Sequence, residues 1–166
     1  AERINALKML AEEKNCTIIT TFDALMNPMP EPEKFIQSVI PIAVGDVISL
    51  EELSAQLAAL GYEKNYQAQT MGEFSVRGGI VDIFPLTEDN PYRIELWGDE
   101  VDSIRSFDAE SQRSIENLEK VSIYPACELV LTKEEREAGI ARILKEAEAV
   151  SAKLRKEMKT EEAYRV

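Results

Sequence analysis

The sequence predicts an α/β fold: a small mixed, mostly antiparallel sheet with a covering helix, flanked by a partial α/β layer and a long C-terminal helix. Three observations predict it. Residues 62–125 alternate β-branched and aromatic runs with turn residues, as the strands of a meander do. An amphipathic stretch with capping residues precedes them at 49–60, and a longer one runs through 132–158.

The first segment, residues 1–40, is predicted to be the tail of an α/β layer. Residues 2–14 favour an amphipathic helix, because their isoleucine and leucines share one stripe at helical spacing. Residues 17–20, TIIT, are short, β-branched and apolar on average, which predicts a buried strand. Three prolines within residues 27–32 then interrupt regular structure, so we expect a domain boundary near them.

The second segment, residues 41–126, is predicted to be a compact α/β domain. An extended run at 39–44 opens it, and Pro41 indicates an edge strand there. Ser49 and Glu52 have the spacing of a capping box, which predicts the start of a helix. Leucines at helical spacing supply the stripe with which that helix would cover the sheet.

Strands should follow that helix, separated by polar turns. We expect them at residues 62–69, 73–85, 92–97, 101–107 and 121–124. Gly78 and Gly79 lie inside the second of these runs and predict a bulge, a tight hairpin or a close backbone approach. Residues 98–100 predict a hairpin turn.

The third segment, residues 127–166, is predicted to be a connecting helix. Thr132 and Glu135 repeat the capping-box spacing, and apolar residues recur at helical intervals from Ile140 to Met158. Such a stripe is typical of a helix that packs on this domain or on another one. A coiled-coil partner has less support, because the stripe spans only about three heptads.

Charge and composition exclude several function classes. The formal net charge is −12, from 31 acidic and 19 basic residues, which argues against direct binding of DNA. There is no histidine, so zinc sites of the usual Cys/His type and histidine-based catalytic triads are excluded. Cys16 and Cys127 are interpreted as buried cytosolic thiols. No apolar run approaches the roughly 18 residues that span a membrane, and no secretory leader is visible, so we expect a cytoplasmic protein.

Phosphate-binding motifs are also absent from the sequence. Neither GxxxxGK[ST] nor GxGxxG after a strand occurs. Acidic pairs such as Asp99 and Glu100 lie in polar turns, where a solvated role is favoured over a catalytic one. We therefore expect no catalytic residue, no bound cofactor and no metal site in this chain.

Three segments in order resemble a known family. They are GEFSVRGGIVDIFP at 72–85, PYRIELWGDEVDSIRSFDAESQRS at 91–114 and VSIYPA at 121–126. Their sequence and spacing resemble the bacterial transcription-repair coupling factors and the excision-repair subunit UvrB. The double glycine, the FDAESQRS segment and the AERINAL opening look more like the coupling factors.

The resemblance implies a fold like UvrB domain 2, in which an inserted α/β domain binds UvrA. It also implies a longer parent protein, an ATP-dependent DNA translocase that uses ATP and magnesium. The motifs of that motor do not occur here, so contacts with RNA polymerase and DNA would belong to other parts of the parent. Other parental domains are possible partners that mask the same face.

The resemblance implies that Arg77, Arg93 and Trp97 contact UvrA, with Trp97 standing where phenylalanine is usual. Strand alternation agrees in kind, since residues two apart share a face and Arg93, Glu95 and Trp97 would all face outward. An exposed tryptophan beside an arginine is typical of a binding hot spot. The alternative is that Arg93 and Glu95 form only a surface ion pair.

Two other functions stay open at this point. The chain is alternatively a UvrB fragment with the same docking role, or an architectural domain that packs within its parent. A catalytic or nucleotide-binding domain of unknown type is the remaining hypothesis, which no motif supports.

Overall fold

The computed structural model describes residues 2–13, 15–27, 29, 31–128, 131 and 133–156. The chain divides into two compact units, residues 1–130 and residues 131–166. In the first unit, the helices among the described residues are α1 (Glu2–Ala11), α2 (Phe22–Met26), α3 (Pro32–Gln37) and α4 (Leu50–Ala59). Its strands are β1 (Ile40–Ala43), β2 (Glu63–Lys64), β3 (Glu73–Arg77), β4 (Ile80–Ile83), β5 (Tyr92–Trp97), β6 (Glu100–Phe107), β7 (Ser114–Leu118) and β8 (Lys120–Ile123). The second unit contains α5 (Lys133–Lys156).

Most of the strands form one sheet in the order β2-β3-β4-β5-β6-β7. Neighbouring strands pair antiparallel, except that β2 and β3 run parallel. Strands β1 and β8 form a separate two-stranded antiparallel sheet. The predicted fold class, a small mixed and mostly antiparallel sheet with a covering helix and a long C-terminal helix, is confirmed.

Two-residue loops connect β3 to β4 and β5 to β6. Gly78 and Gly79 form the first loop, in which Gly78 has a left-handed φ of 61°. A Cβ atom on Gly79 would lie 2.7 Å from the carbonyl oxygen of Leu96, so this backbone also approaches its neighbour closely. Gly98, with a φ of 65°, takes the first central position of the second loop, where type II′ turns place glycine. Of the features predicted for Gly78 and Gly79, the tight hairpin and the close backbone approach are therefore both present.

Helix α4 covers the inner face of the sheet, as predicted. The Ser49 hydroxyl oxygen caps it by accepting a hydrogen bond from the N–H of Glu52 at 3.4 Å. Gly61, with a φ of 89°, directly follows the C-cap residue, where a left-handed residue ends many helices. The main hydrophobic core joins α4 to both sheets, and its most buried members include Ile42, Leu53, Leu57, Phe74, Ile83, Ile94, Ile104 and Ile123.

A smaller apolar cluster holds the first helices against the same unit. Ile4 and Leu7 of α1 pack with Phe35 of α3 and with Tyr124, which follows β8. The Tyr124 hydroxyl donates a hydrogen bond to Glu12 Oε1 at 3.0 Å. Burial and this bond raise the pKa of Tyr124 to about 12, so the phenol keeps its proton.

Strands β1 and β8 bring the two ends of the central segment together. Ile40 is paired with Ile123 in this small sheet, and Pro41 is exposed on its edge as predicted. The domain boundaries near residues 40 and 126 stay a prediction, with which this pairing is consistent.

The predicted strand at residues 17–20 is wrong. This run has no regular structure, and Ile19 is 95% exposed. A strand needs a neighbour to satisfy its backbone N–H and C=O groups, and no strand in the described ranges lies beside this one.

The predicted strand at 62–69 is reduced to the two residues of β2. Beyond it the chain bends around the Glu73 carboxylate, which accepts hydrogen bonds from the backbone N–H groups of Gln69 and Thr70, both at 2.9 Å. Strand β7, by contrast, was not predicted, because SIENL is largely polar and lies at the edge of the sheet.

Helix α5 confirms the predicted long helix after the sheet. Ile140, Leu144 and Val150 of its stripe are exposed, while the predicted cap Thr132 and the last stripe residue Met158 lie outside the described residues. What the stripe packs against stays a prediction. Of the helices in the described ranges, none has the length and apolar character that crossing a bilayer requires.

Candidate functional site

The sheet has an inner face that packs on α4 and an outer face on which the predicted site residues lie. In β5, Ile94 points inward and is fully buried, whereas Arg93, Glu95 and Trp97 alternate with it on the outer face. The alternation predicted from the sequence therefore holds along this strand.

Trp97 is the most exposed member of the predicted set, with 84% of its surface open to solvent. It ends β5 and pairs with Glu100 across the tight Gly98–Asp99 loop. A hairpin end holds the backbone of the tryptophan firmly while leaving the indole uncovered. Exposed indoles on such rigid supports are typical anchors of protein interfaces.

Arg93 lies closer to the sheet, with its side chain only 13% exposed. Its Nε and Nη2 atoms donate to the two carboxylate oxygens of Asp82 at 2.6 and 2.8 Å, in a bidentate pair. The hydrogen bond to Asp82 raises the pKa of Arg93, so the guanidinium stays charged. The alternative pairing with Glu95 is not formed, since Glu95 accepts from Arg105 and Ser103 instead.

Arg77 joins the same carboxylate from the neighbouring strand. Its Nη2 donates to Asp82 Oδ2 at 2.6 Å, and its side chain is 35% exposed. Asp82 itself is only 2% exposed, so its charge is compensated almost entirely by the two arginines. The structure thus brings Arg77 and Arg93 together on one face, with Trp97 on the same face at the end of β5.

The electrostatic balance of this cluster is positive. Two guanidinium groups share one carboxylate, which leaves one positive charge in a chain whose net charge is −12. Arg77 is the more accessible of the two arginines, because Arg93 is covered on more sides. The arginines can bind an acidic group of a partner, and the indole can pack against the partner's surface.

Three residues of this cluster were missed by the sequence reasoning. Asp82 was visible as the one carboxylate in the apolar run IVDIF, which signals a buried acid that needs a cation. Phe107 lies under Arg93, with the guanidinium carbon 4.2 Å from the ring centroid. Gln112 Oε1 accepts from Arg93 Nη2 at 2.8 Å, and no local pattern predicts that contact.

Other chemistry is sparse in the part of the chain that the structure describes. Within those residues, no group of three or more histidine, cysteine or acidic side chains is placed to hold a metal ion. Cys16 and Cys127 are only half-buried, rather than buried as expected.

Comparison with known proteins identifies the region that carries this site. The model of a family described as the UvrB interaction domain matches residues 40–129, which include every strand of both sheets and all the residues of the cluster.

Relatives of two kinds are similar to the chain. The transcription-repair-coupling factor of Bacillus subtilis (strain 168) is 39% identical over 156 residues, which covers 90% of this chain and 13% of that protein. The UvrABC system protein B of Thermosipho africanus (strain TCF52B) is 35% identical over 164 residues, or 99% of this chain and 25% of that protein. The coupling factor of Staphylococcus haemolyticus (strain JCSC1435) is 41% identical over 132 residues, or 80% and 11%.

The chain therefore spans a quarter or less of the length of these curated relatives. The resemblance to coupling factors and UvrB that the motifs predicted is confirmed. Because the family model covers more than half of the sequence, the chain belongs to the UvrB interaction domain family.

Proposed function

We propose that this chain is a UvrA-docking module of nucleotide excision repair and belongs to a transcription-repair coupling factor. The observation that carries the proposal is the outer face of the sheet, where an exposed indole accompanies two guanidinium groups on one carboxylate. The family match and the names of the relatives support the repair context.

The physical properties of this face suit a protein partner. Tryptophan and arginine are enriched among the few residues that dominate binding energies at interfaces. Asp82 fixes both arginines, so little side-chain freedom is lost when a partner binds. The local positive charge favours binding to an acidic patch on UvrA. The acidic remainder of the chain disfavours binding to nucleic acid.

In the wider proposal, docking recruits the excision machinery to a stalled RNA polymerase. In this proposal, hydrolysis of ATP with magnesium, translocation on DNA and contacts with RNA polymerase belong to other parts of a longer parent protein. The alternative parent is UvrB, which the Thermosipho relative supports, with the same docking role for this domain.

Calorimetric titration of the chain with purified UvrA tests the proposal. We expect Arg77→Ala, Arg93→Ala and Trp97→Ala each to weaken binding by about 1–3 kcal/mol. Tyr66→Ala is the matched control for the indole, because Tyr66 is 82% exposed and follows β2 at the far edge of the sheet. Arg142→Ala on α5 is the control for an exposed arginine.

Absence of binding by the wild-type chain would remove the proposed function. Unchanged affinity of all three variants beside a binding wild type would remove the site and leave the function. If the face is instead an internal packing surface of the parent, the remaining parental domains added in trans should bind the chain and compete with UvrA.

A further inference from the structure

The loop between β6 and β7 is held by its own hydrogen bonds. Asp108 Oδ1 accepts from the backbone N–H and the hydroxyl of Ser111 at 2.8 and 2.6 Å. These bonds lower the pKa of Asp108, so the carboxylate stays ionised at neutral pH. The N–H of Asp108 donates to the carbonyl of Arg113 at 2.9 Å, and the N–H of Gln112 donates to the carbonyl of Asp108 at 2.8 Å. The loop is therefore an ordered turn that closes on itself.

Gln112 is oriented by this loop. Its φ is 59°, a left-handed value that glutamine rarely adopts. Its side-chain Nε2 donates to the carbonyl of Ala109 at 2.8 Å, which fixes the amide and directs Oε1 toward Arg93. Oε1 of Gln112 is therefore held as an acceptor for the guanidinium.

Arg93 is restrained from three sides as a result. Asp82 accepts hydrogen bonds from its Nε and Nη2, Gln112 accepts one from Nη2, and the Phe107 ring lies beneath the guanidinium. Phe107 is fully buried although it stands on the outer face, and the guanidinium covers one side of its ring. Among the described residues, the Nη1 atom makes no hydrogen bond, so it is the edge that a partner can meet.

We infer that Phe107, the last residue of β6, and the loop that follows it form a clamp that positions Arg93 for docking, so that its Nη1 edge binds a carboxylate of the partner. This inference rests on the proposed function. Gln112 and Phe107 act through Arg93 and are positioning residues, whereas Arg93 makes the contact. Holding the guanidinium before binding removes the cost of immobilising a long side chain in the complex.

Gln112→Asn tests the clamp. Asparagine tolerates the left-handed backbone but is shorter by one methylene, so it withdraws the acceptor from Arg93. We expect UvrA affinity to fall by about two- to tenfold, in line with the freeing of one rotamer-rich side chain. Gln69→Asn, at an exposed glutamine on the opposite edge of the sheet, should leave the affinity unchanged.

A double-mutant comparison separates positioning from a general structural role. In an Arg93→Ala background, Gln112→Asn should cause no further loss of affinity, because its target is gone. In an Arg77→Ala background it should keep its full effect. Equal losses in both backgrounds would overturn the clamp.

A measurement on the unaltered chain makes the test independent of any variant's folding. By NMR relaxation, the Nε–H of Arg93 should be about as ordered as rigid backbone (order parameter about 0.85), and that of exposed Arg142 should be below about 0.6. Equal mobility of the two would overturn the clamp even if UvrA binds. Failure of the wild type to bind UvrA, or an unaffected Arg93→Ala variant, would instead count against the proposed function or its site.

Discussion

The two faces of the six-stranded sheet are stabilised in different ways. The inner face packs apolar side chains such as Phe74 and Ile94 against α4, where the side chains contribute by burial of apolar surface. On the outer face, Arg77, Asp82 and Arg93 form a hydrogen-bonded ion network. The inner face therefore specifies the fold, whereas the outer face is free to bind a partner.

The largest effect should come from the inner face. Phe74→Ala removes a ring that is 1% exposed, and we expect the free energy of unfolding to fall by about 3–5 kcal/mol, since a cavity is left behind. Urea denaturation followed by circular dichroism measures it. A loss below about 1 kcal/mol would mean that the inner face collapses around the gap and is not rigid.

Asp82→Asn should have the next largest effect and tests whether the outer face also contributes stability. The substitution leaves two arginines with a neutral acceptor, and we expect a loss of about 1–3 kcal/mol. The Arg77 side chain is partly exposed and can be solvated by water, which limits the loss of stability. The same denaturation experiment serves, with Asp102→Asn at an exposed position as the control. A stability equal to that of wild type would show that the network serves binding alone.

Glu73 lies at the far end of the outer face, and we expect its substitution to have a smaller, pH-dependent effect on the free energy of unfolding. Hydrogen bonds from the backbone of Thr70 and Gln69 and from Asn65 lower its pKa in the folded state. Its stabilisation is therefore fully present above the unfolded pKa of about 4.3 and is lost as the pH falls through the lower folded value. Glu73→Gln should reduce stability at pH 7 by about 1 kcal/mol or less, because the group is largely solvated. Denaturation midpoints compared at pH 7 and pH 3 should then differ less in the variant than in wild type, and an unchanged difference would contradict this account.

The smallest change in stability is expected for Trp97→Ala. The indole contacts solvent over most of its surface, so its removal should alter the free energy of unfolding by no more than about 0.5 kcal/mol. Together with a large loss of UvrA affinity, this would complete the contrast between the faces. A clear destabilisation would mean that the indole contributes to the stability of the fold, which would weaken its role as a docking anchor.

Much of the sheet was predictable from the sequence because its signals are local. The glycine pair at 78–79, the alternation of YRIELW and the Ser49 cap each depend on a few adjacent residues. TIIT at 17–20 has the same local character and was nevertheless predicted wrongly, since strand formation also needs a neighbouring strand. Strand β7 shows the reverse: its polar sequence hides a strand that exists because β6 offers it an edge.

The candidate site was predictable as a face but not as a network. Alternation placed Arg93 on the outer side, yet its partners Asp82 and Gln112 lie 11 and 19 residues away in sequence. Which of several carboxylates an arginine meets depends on strand register, and the register follows from hairpins and bulges. The sequence therefore suggested Glu95, whereas the cross-strand pairing of Arg93 with Asp82 decides the contact.

The pairing of β1 with β8 has a consequence for the domain predicted at residues 41–126. Adjacent antiparallel strands lie only about 4.8 Å apart, so the points at which the chain leaves and rejoins its surroundings almost coincide. A host chain can accept such a segment at a single surface turn with little rearrangement of its own scaffold.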